Sequence, residues 1–221
     1  MRHADLVRAL ERIPPFDRAR PELEQVVTPA EAAAVLLEAA SSGGDLAGRS
    51  VLDLGCGTGR LAIGAALLGA WPVVGIDVDP APLALARAAA REAWVEVDFR
   101  HEDVRAVDEP VDTVVMNPPF GAQRRGADRP FWDRAFTLAG SAVYAFASAE
   151  SRTFIARLAV ERVAHVDASR PVPWELPRVF GHHRREKVRL DVDLWVFRTR
   201  HDHDTERPSE VRRTRRVPRR R

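Results

Sequence analysis

Asn117 stands at the end of an apolar run, "DTVVMN", and is followed at once by Pro118, Pro119 and Phe120. Prolines cannot donate to a strand ladder, so "MNPPFG" at 116–121 reads as a rigid loop at a strand's end. Such a loop can hold two acceptors: the Asn117 side-chain carbonyl and the Pro118 backbone carbonyl. Two fixed acceptors suit a planar amine. They favour a more tetrahedral nitrogen and stabilise the positive charge that develops on it. Pro119 completes the rigid pair, so little reorganisation accompanies reaction. Phe120 offers a flat apolar face to a flipped base, and base stacking of that kind is worth about 1–3 kcal/mol.

A second constellation lies upstream. "VLDLGCGTGR" at 51–60 reads as a strand running into a glycine-rich turn and then a helix. Gly55 allows the sharp turn, Gly57 lets a ligand approach the backbone, and Gly59 permits close packing of helix on sheet. Asp77 ends the next strand, twenty residues after Gly57, where a carboxylate can accept from ribose hydroxyls. Asp103 and Val104, in "HEDV", follow the third strand and are placed to meet an adenine ring. Two nucleoside cofactors suit such a loop, a nicotinamide dinucleotide and S-adenosyl-L-methionine. The dinucleotide pattern is G-x-G-x-x-G, but here the third glycine comes one residue early and Arg60 takes its place. Asp53 adds a carboxylate where the ammonium of a methionine moiety would lie. The spacing favours S-adenosyl-L-methionine, and the acceptor loop supplies a use for it: methyl transfer to an exocyclic amine, with no strong general base required.

The elements that must position these residues alternate. "SVLDL", "PVVGID", "WVEVDFR", "VDTVVMN" and "SAVYAFA" read as strands. "GRLAIGAALLGA", "PAPLALARAAAREA", "RPFWDRAFTLA" and "SRTFIARLAVER" read as helices. Alternation argues a doubly wound, mostly parallel sheet, here of seven strands. "VAHVDASRPV" and "KVRLDVDLWVFR" have a basic loop and no helix between them, so an antiparallel hairpin closes one edge. Before the sheet, residues 1–45 form a helical segment. Leu6, Leu10 and Ile13 share one helical face, and "TPAE" predicts a capping box on Thr28 and Glu31.

The 221 residues, 45% hydrophobic, suffice for one domain with a core, expected over 1–200. The single cysteine, Cys56, forbids an internal disulfide, fits a reducing cytoplasmic interior and reads as a small filler. The longest uncharged run, residues 61–76, is too short and too broken for a membrane span. No metal site is expected: His182–His183 and "HDHD" at 201–204 lack zinc-ligand spacing. Residues 207–221 hold eight arginines and one glutamate, +7 of a net +2, so the rest of the chain carries −5. The tail at 201–221 is expected to be disordered, and its arginines could bind nucleic acid electrostatically or simply remain solvated.

[DNS]-P-P-[YFW] after a fourth strand resembles class I methyltransferases that act on planar amines, a Rossmann-like fold. Over residues 6–198, "LEQVVTP", "DLGCGTGRLAIGAALLGA", "VVMNPPFG", "AVY" and "VRLDVDLWVF" are similar to the methyltransferase-like protein 5 type of N6-adenine methyltransferase. The resemblance implies methylation of one adenine of small-subunit ribosomal RNA. It further implies that Gln25 and Thr28 line the cofactor's methionine end, Asp77 its ribose and Asp103 its adenine, while Asn117 to Phe120 hold the target. It also implies a small zinc-containing activator protein on the sheet edge formed by "WVEVDFR" at 94–100. Val26 and Val27 replace the family's Tyr-Pro pair, Thr58 replaces a cysteine, and "AFAS" replaces "SLHK". The basic "HHRREK" at 182–187 matches a lysine-rich family loop in kind and could hold phosphates. Other readings of the same chemistry are a glutamine N5-methyltransferase of release factors, which usually carries tyrosine in place of Phe120, and a DNA adenine methyltransferase. A non-catalytic RNA-binding or assembly factor is the alternative from another class.

Overall fold

The computed structural model describes residues 1–121, 123–162, 164–177 and 187–199. The arginine tail, the "HDHD" segment and residues 182–186 of the basic loop lie outside that part. Helices α1 (His3–Glu11) and α2 (Ala30–Ser42) precede the sheet. Then β1 (Val51–Leu54), α3 (Arg60–Leu67), β2 (Val73–Asp77), α4 (Pro80–Glu92), β3 (Asp98–His101) and β4 (Val111–Met116) follow. The second half runs α5 (Arg129–Leu138), β5 (Ala139–Ser148), α6 (Arg152–Glu161) and β6 (Ala164–Val172), then β7 (Glu175–Pro177), β8 (Lys187–Arg189) and β9 (Val192–Thr199).

Seven strands form one sheet in the order β3-β2-β1-β4-β5-β9-β6. The pairs from β3 through β5 are parallel, and β9 runs antiparallel between β5 and β6. The expected doubly wound sheet with its antiparallel closure is therefore present. Both faces are buried, and the two-residue period of the strands decides which core each side chain joins. Val115, Tyr144, Phe146, Leu194 and Val196 pack with α1 to α4. Their neighbours Val114, Met116, Val143, Trp195 and Phe197 pack with α5 and α6. Among the described residues, no helix is long and apolar enough to cross a membrane.

Three local expectations are corrected. The strand expected at 94–100 begins only at Asp98. Trp94 has φ of 56°, and the Val95 amide bonds back to the Ala90 carbonyl while Trp94 bonds to Arg91. This is a left-handed helix stop, so Trp94 and Val95 close α4, and residues 95–97 connect it to β3. Thr28 does not cap α2: the N-cap is Pro29, with no side-chain cap. Glu31 instead pairs with His3. Finally, "KVRLDVDLWVF" is not one strand, because β8 leaves the main sheet to pair with β7 and only β9 enters it.

The topology sets the place of the chemistry. From β1 the chain winds outward through β2 to β3, then returns to β4 on the other side of β1. A crevice opens at such a switch point, beyond the carboxyl ends of the two central strands. Leu54 of β1 pairs in register with Met116 of β4. The next residues are Gly55 and Asn117, so the glycine turn and the acceptor loop start side by side.

Candidate active site

A cavity of about 300 Å³ occupies that crevice. Its walls are the glycine turn, the ends of β2 and β3, the acceptor loop, the start of α5, and residues 16 and 22–28 ahead of α2. Gln25, Thr28, Asp53, Gly55, Gly57, Asp77, Asp103, Val104, Asn117 and Pro119 all line it. Gly59, Pro118 and Phe120 do not. Gly59 has φ of 86°, and a Cβ there would come within 2.8 Å of the Phe99 ring, so it serves packing of helix on sheet. Pro118 is buried, and Phe120 lies half-buried, edge-on to Trp174 at 6.1 Å between centroids.

Asp53 falls on the buried face of β1, between the ladder and α3. Its Oδ2 accepts from the Ala62 amide at 3.0 Å, while Oδ1 is buried with no partner among the described residues. Burial, with Asp77 nearby, pushes its pKa up to about 8. Asp77 accepts from the Gly57 amide at 2.8 Å and the Asp79 amide at 2.9 Å. Burial raises its pKa as well. The helix cap in "DVDP" is Asp79, whose carboxylate accepts from the Ala81 amide. Asp77 is thus free of capping and faces the cavity. Asp103 accepts from the Arg105 amide at 2.8 Å and from its guanidinium at 3.0 Å. Cys56 is buried and its thiol pushed up by that burial, which leaves it inert.

Asn117 is fixed by its amide. Nδ2 donates to the Thr28 hydroxyl at 3.0 Å, and the carbonyl Oδ1 is left buried with no partner among the described residues. The side chain therefore presents an unpartnered acceptor, with one of its two amide N–H groups held by Thr28.

The resemblance named Gln25 and Thr28, but sequence reading missed that residues 14–28 form a strap against the crevice. Arg60 pins both its ends, donating to the Ile13 carbonyl at 2.8 Å and the Thr28 carbonyl at 2.5 Å. Burial lowers the guanidinium pKa to about 10. Toward its end, Gln25 donates to Asp79 at 2.8 Å, and its carbonyl accepts from the Arg20 amide at 2.8 Å. The Phe16 ring sits 2.9 Å from where a Gly57 Cβ would be. The available signal was Arg60 itself, a bulky cation in the slot where a dinucleotide site has glycine. No cluster that could hold a metal ion occurs among the described residues.

The methyltransferase small domain family matches residues 29–142, over half of the chain. The rRNA N(6)-adenosine-methyltransferase METTL5 of Danio rerio is 32% identical over 204 residues, covering 89% of this chain and 99% of the relative. The chain belongs to the METTL5 family. The Drosophila melanogaster rRNA N(6)-adenosine-methyltransferase Mettl5 is likewise 32% identical, over 85% of this chain and 92% of its own. Among solved structures, PH1948 of Pyrococcus horikoshii superposes with a TM-score of 0.83 at 37% identity, covering 90% of this chain and 98% of that one. This METTL5-family chain is accordingly a methyltransferase of the class I fold.

Proposed function

We propose that this protein transfers a methyl group from S-adenosyl-L-methionine to N6 of an adenine in RNA, and that the RNA is ribosomal, of the small subunit. The observation that carries the reading is the Asn117 carbonyl: buried, unpartnered, and held by its amide beside the glycine turn. A pre-set acceptor of this kind suits the hydrogens of a planar amine. The METTL5 relatives, rRNA N(6)-adenosine-methyltransferases over nearly their full length, supply the substrate class.

The residues present fit the cofactor. The orphan Oδ1 of Asp53 is a ready acceptor for an ammonium, and Gly55 and Gly57, both left-handed, line the cavity where the Phe131 and Phe16 rings leave no room for a Cβ. Asp77 would accept from ribose hydroxyls, Asp103 and Val104 would meet the adenine, and Gln25 and Thr28 would close the methionine end. The cofactor, once bound, supplies an electrophilic methyl on a cationic sulfur. Asn117 Oδ1 and the Pro118 carbonyl would accept from the two amine hydrogens of the target base as its nitrogen turns tetrahedral. Pro119 keeps that loop stiff, and Phe120 offers its exposed part to the base. The amine proton leaves after transfer, so no strong base is needed.

Residues 1–200 would act as one catalytic domain in the cytoplasm. A small zinc-containing activator protein is the further partner of this reading, seated near β3 at the sheet edge. The test of function is incubation with methyl-labelled cofactor and, separately, ribosomal RNA, DNA and a release factor. Label recovered as N6-methyladenosine from the RNA is the expected result. Label on a glutamine of the protein, or on DNA alone, overturns the reading.

A further inference from the structure

The acceptor loop does not end at Phe120. The chain turns through Gly121, with φ of 81°, and comes out of the turn at Gly126, with φ of 77°. Between them three backbone amides converge on one side chain. Glu24 Oε2 accepts from Gly121 at 3.0 Å, while Oε1 accepts from Gln123 at 2.8 Å and more distantly from Arg124 at 3.4 Å. These contacts cross about a hundred positions of sequence. Glu24 itself has φ of 51°, in the left-handed region that favours glycine. A glutamate there costs on the order of 1–3 kcal/mol of backbone strain, which persists only where the surroundings over-determine it.

The same strap reaches the cofactor side of the cavity. Gln25, the next residue, holds Asp79 at the start of α4, and Thr28 holds Asn117. The strap thus grips the acceptor loop at both ends, at Asn117 through Thr28 and just past Phe120 through Glu24. Charge-assisted bonds to backbone amides are stronger than neutral ones, and two or three on one carboxylate fix a loop that proline stiffness alone does not anchor.

We propose that Glu24 is a positioning residue for methyl transfer: its carboxylate fixes the segment after Phe120 and so sets where the Asn117–Pro118 acceptors stand relative to the target amine. The proposal rests on the functional reading above, but its structural half does not. Displacement of a catalytic group by about 1 Å can cost about a hundredfold in rate.

Two measurements on the full chain test it, with Glu24→Ala and Glu24→Gln. The first is hydrogen exchange at the Gly121 and Gln123 amides, without RNA or cofactor. Protection there is expected to fall about tenfold or more in Glu24→Ala, while β1 and β4 amides keep theirs. The second is methyl transfer to RNA at saturating cofactor. Glu24→Ala is expected to lower kcat about 10- to 100-fold with the RNA KM changed less than about threefold, and Glu24→Gln, which keeps one carbonyl acceptor, to recover part of the loss. Unchanged exchange, or an unchanged kcat, overturns the proposal. So does a gain in RNA affinity in Glu24→Ala, because the carboxylate would then occupy the place of a phosphate. Exchange is read without substrate, so a wild-type protein inactive on RNA sinks the functional reading alone and leaves Glu24 to be decided by protection.

Discussion

The Asn117 side-chain amide donates to the Thr28 hydroxyl at 3.0 Å across 89 positions of sequence. The bond places Nδ2 toward Thr28 and leaves Oδ1 unpartnered among the described residues. With one Nδ2 N–H on Thr28, that carbonyl oxygen can serve a substrate. A threonine that the local pattern assigns to a helix cap instead orients the acceptor.

Asn117→Ala removes the acceptor and leaves the glycine turn untouched. Transfer should fall by about 10²–10³-fold, the scale for removing one preorganised group at a site of developing charge. Cofactor affinity should stay within about twofold. Thr28→Val frees the amide to rotate and should cost roughly tenfold in kcat, one hydrogen bond's worth. Single-turnover kinetics at saturating RNA measure both, and wild-type rates in Asn117→Ala would remove it from the mechanism.

Asp77→Ala should weaken cofactor binding by about 1.5–3 kcal/mol, the range for hydrogen bonds to a charged group. It also deprives the Gly57 and Asp79 amides of their acceptor. Calorimetry gives the affinity directly. An unchanged Kd would place the ribose elsewhere, and binding of NAD would overturn the cofactor assignment.

The legible parts of this protein are those whose partners are close in sequence. The glycine turn, the strand ending at Asp77 and the acceptor loop each carry their signal within ten residues, and the strand order brings them together. The strap was not legible because its contacts are not local. Gln25 meets Asp79 54 positions away, and Glu24 meets Gln123 99 positions away. The two misread termini have the same origin. "TPAE" satisfies a local capping rule that a tertiary contact to Asn117 overrides. "WVEV" satisfies a strand period although its first residues finish α4.

Asp53 supplies a pH signature. Its folded pKa, about 8, lies above the ordinary carboxylate value, so the folded cofactor-free protein holds a proton that the unfolded chain releases from about pH 4 upward. The stability this gives is complete below pH 4 and is lost as pH rises through about 8. Asp53→Asn carries no such linkage, so its Tm advantage over wild type should grow between pH 4 and 8 and then level off. Cofactor affinity of the wild type should rise over the upper part of that range, as the ionised carboxylate becomes available to an ammonium, and should stay flatter in Asp53→Asn. Parallel Tm curves for the two proteins would show that Asp53 is ionised throughout.

The arginine tail at 207–221 lies outside the described residues, and its test follows from charge alone. Its removal should weaken RNA binding and flatten the dependence of log K on log salt, because fewer counterions are released. The modified adenine should not change. An identical salt slope with and without the tail would mean that the arginines stay solvated.

Trp94 occupies the left-handed stop of α4, where glycine is favoured, and is 94% exposed. Trp71, 69% exposed, and Val95, Val97 and Asp98 border a shallow groove that includes residues following Trp94 in the chain. The strand beside it, β3, is only four residues long and carries Asp98, Arg100 and His101, features that discourage indiscriminate edge pairing. A large apolar ring held in an unfavourable backbone conformation and covered by little among the described residues gains the isolated chain nothing. Trp94→Gly should therefore stabilise the chain alone by about 1 kcal/mol, by relief of the left-handed strain. If the activator protein sits here, the same substitution should weaken the complex, since an exposed tryptophan is a favoured interface anchor. Thermal unfolding measures the first effect, and size exclusion after co-expression measures the second. A variant that gains stability and still binds the activator with wild-type affinity would take the partner away from this edge.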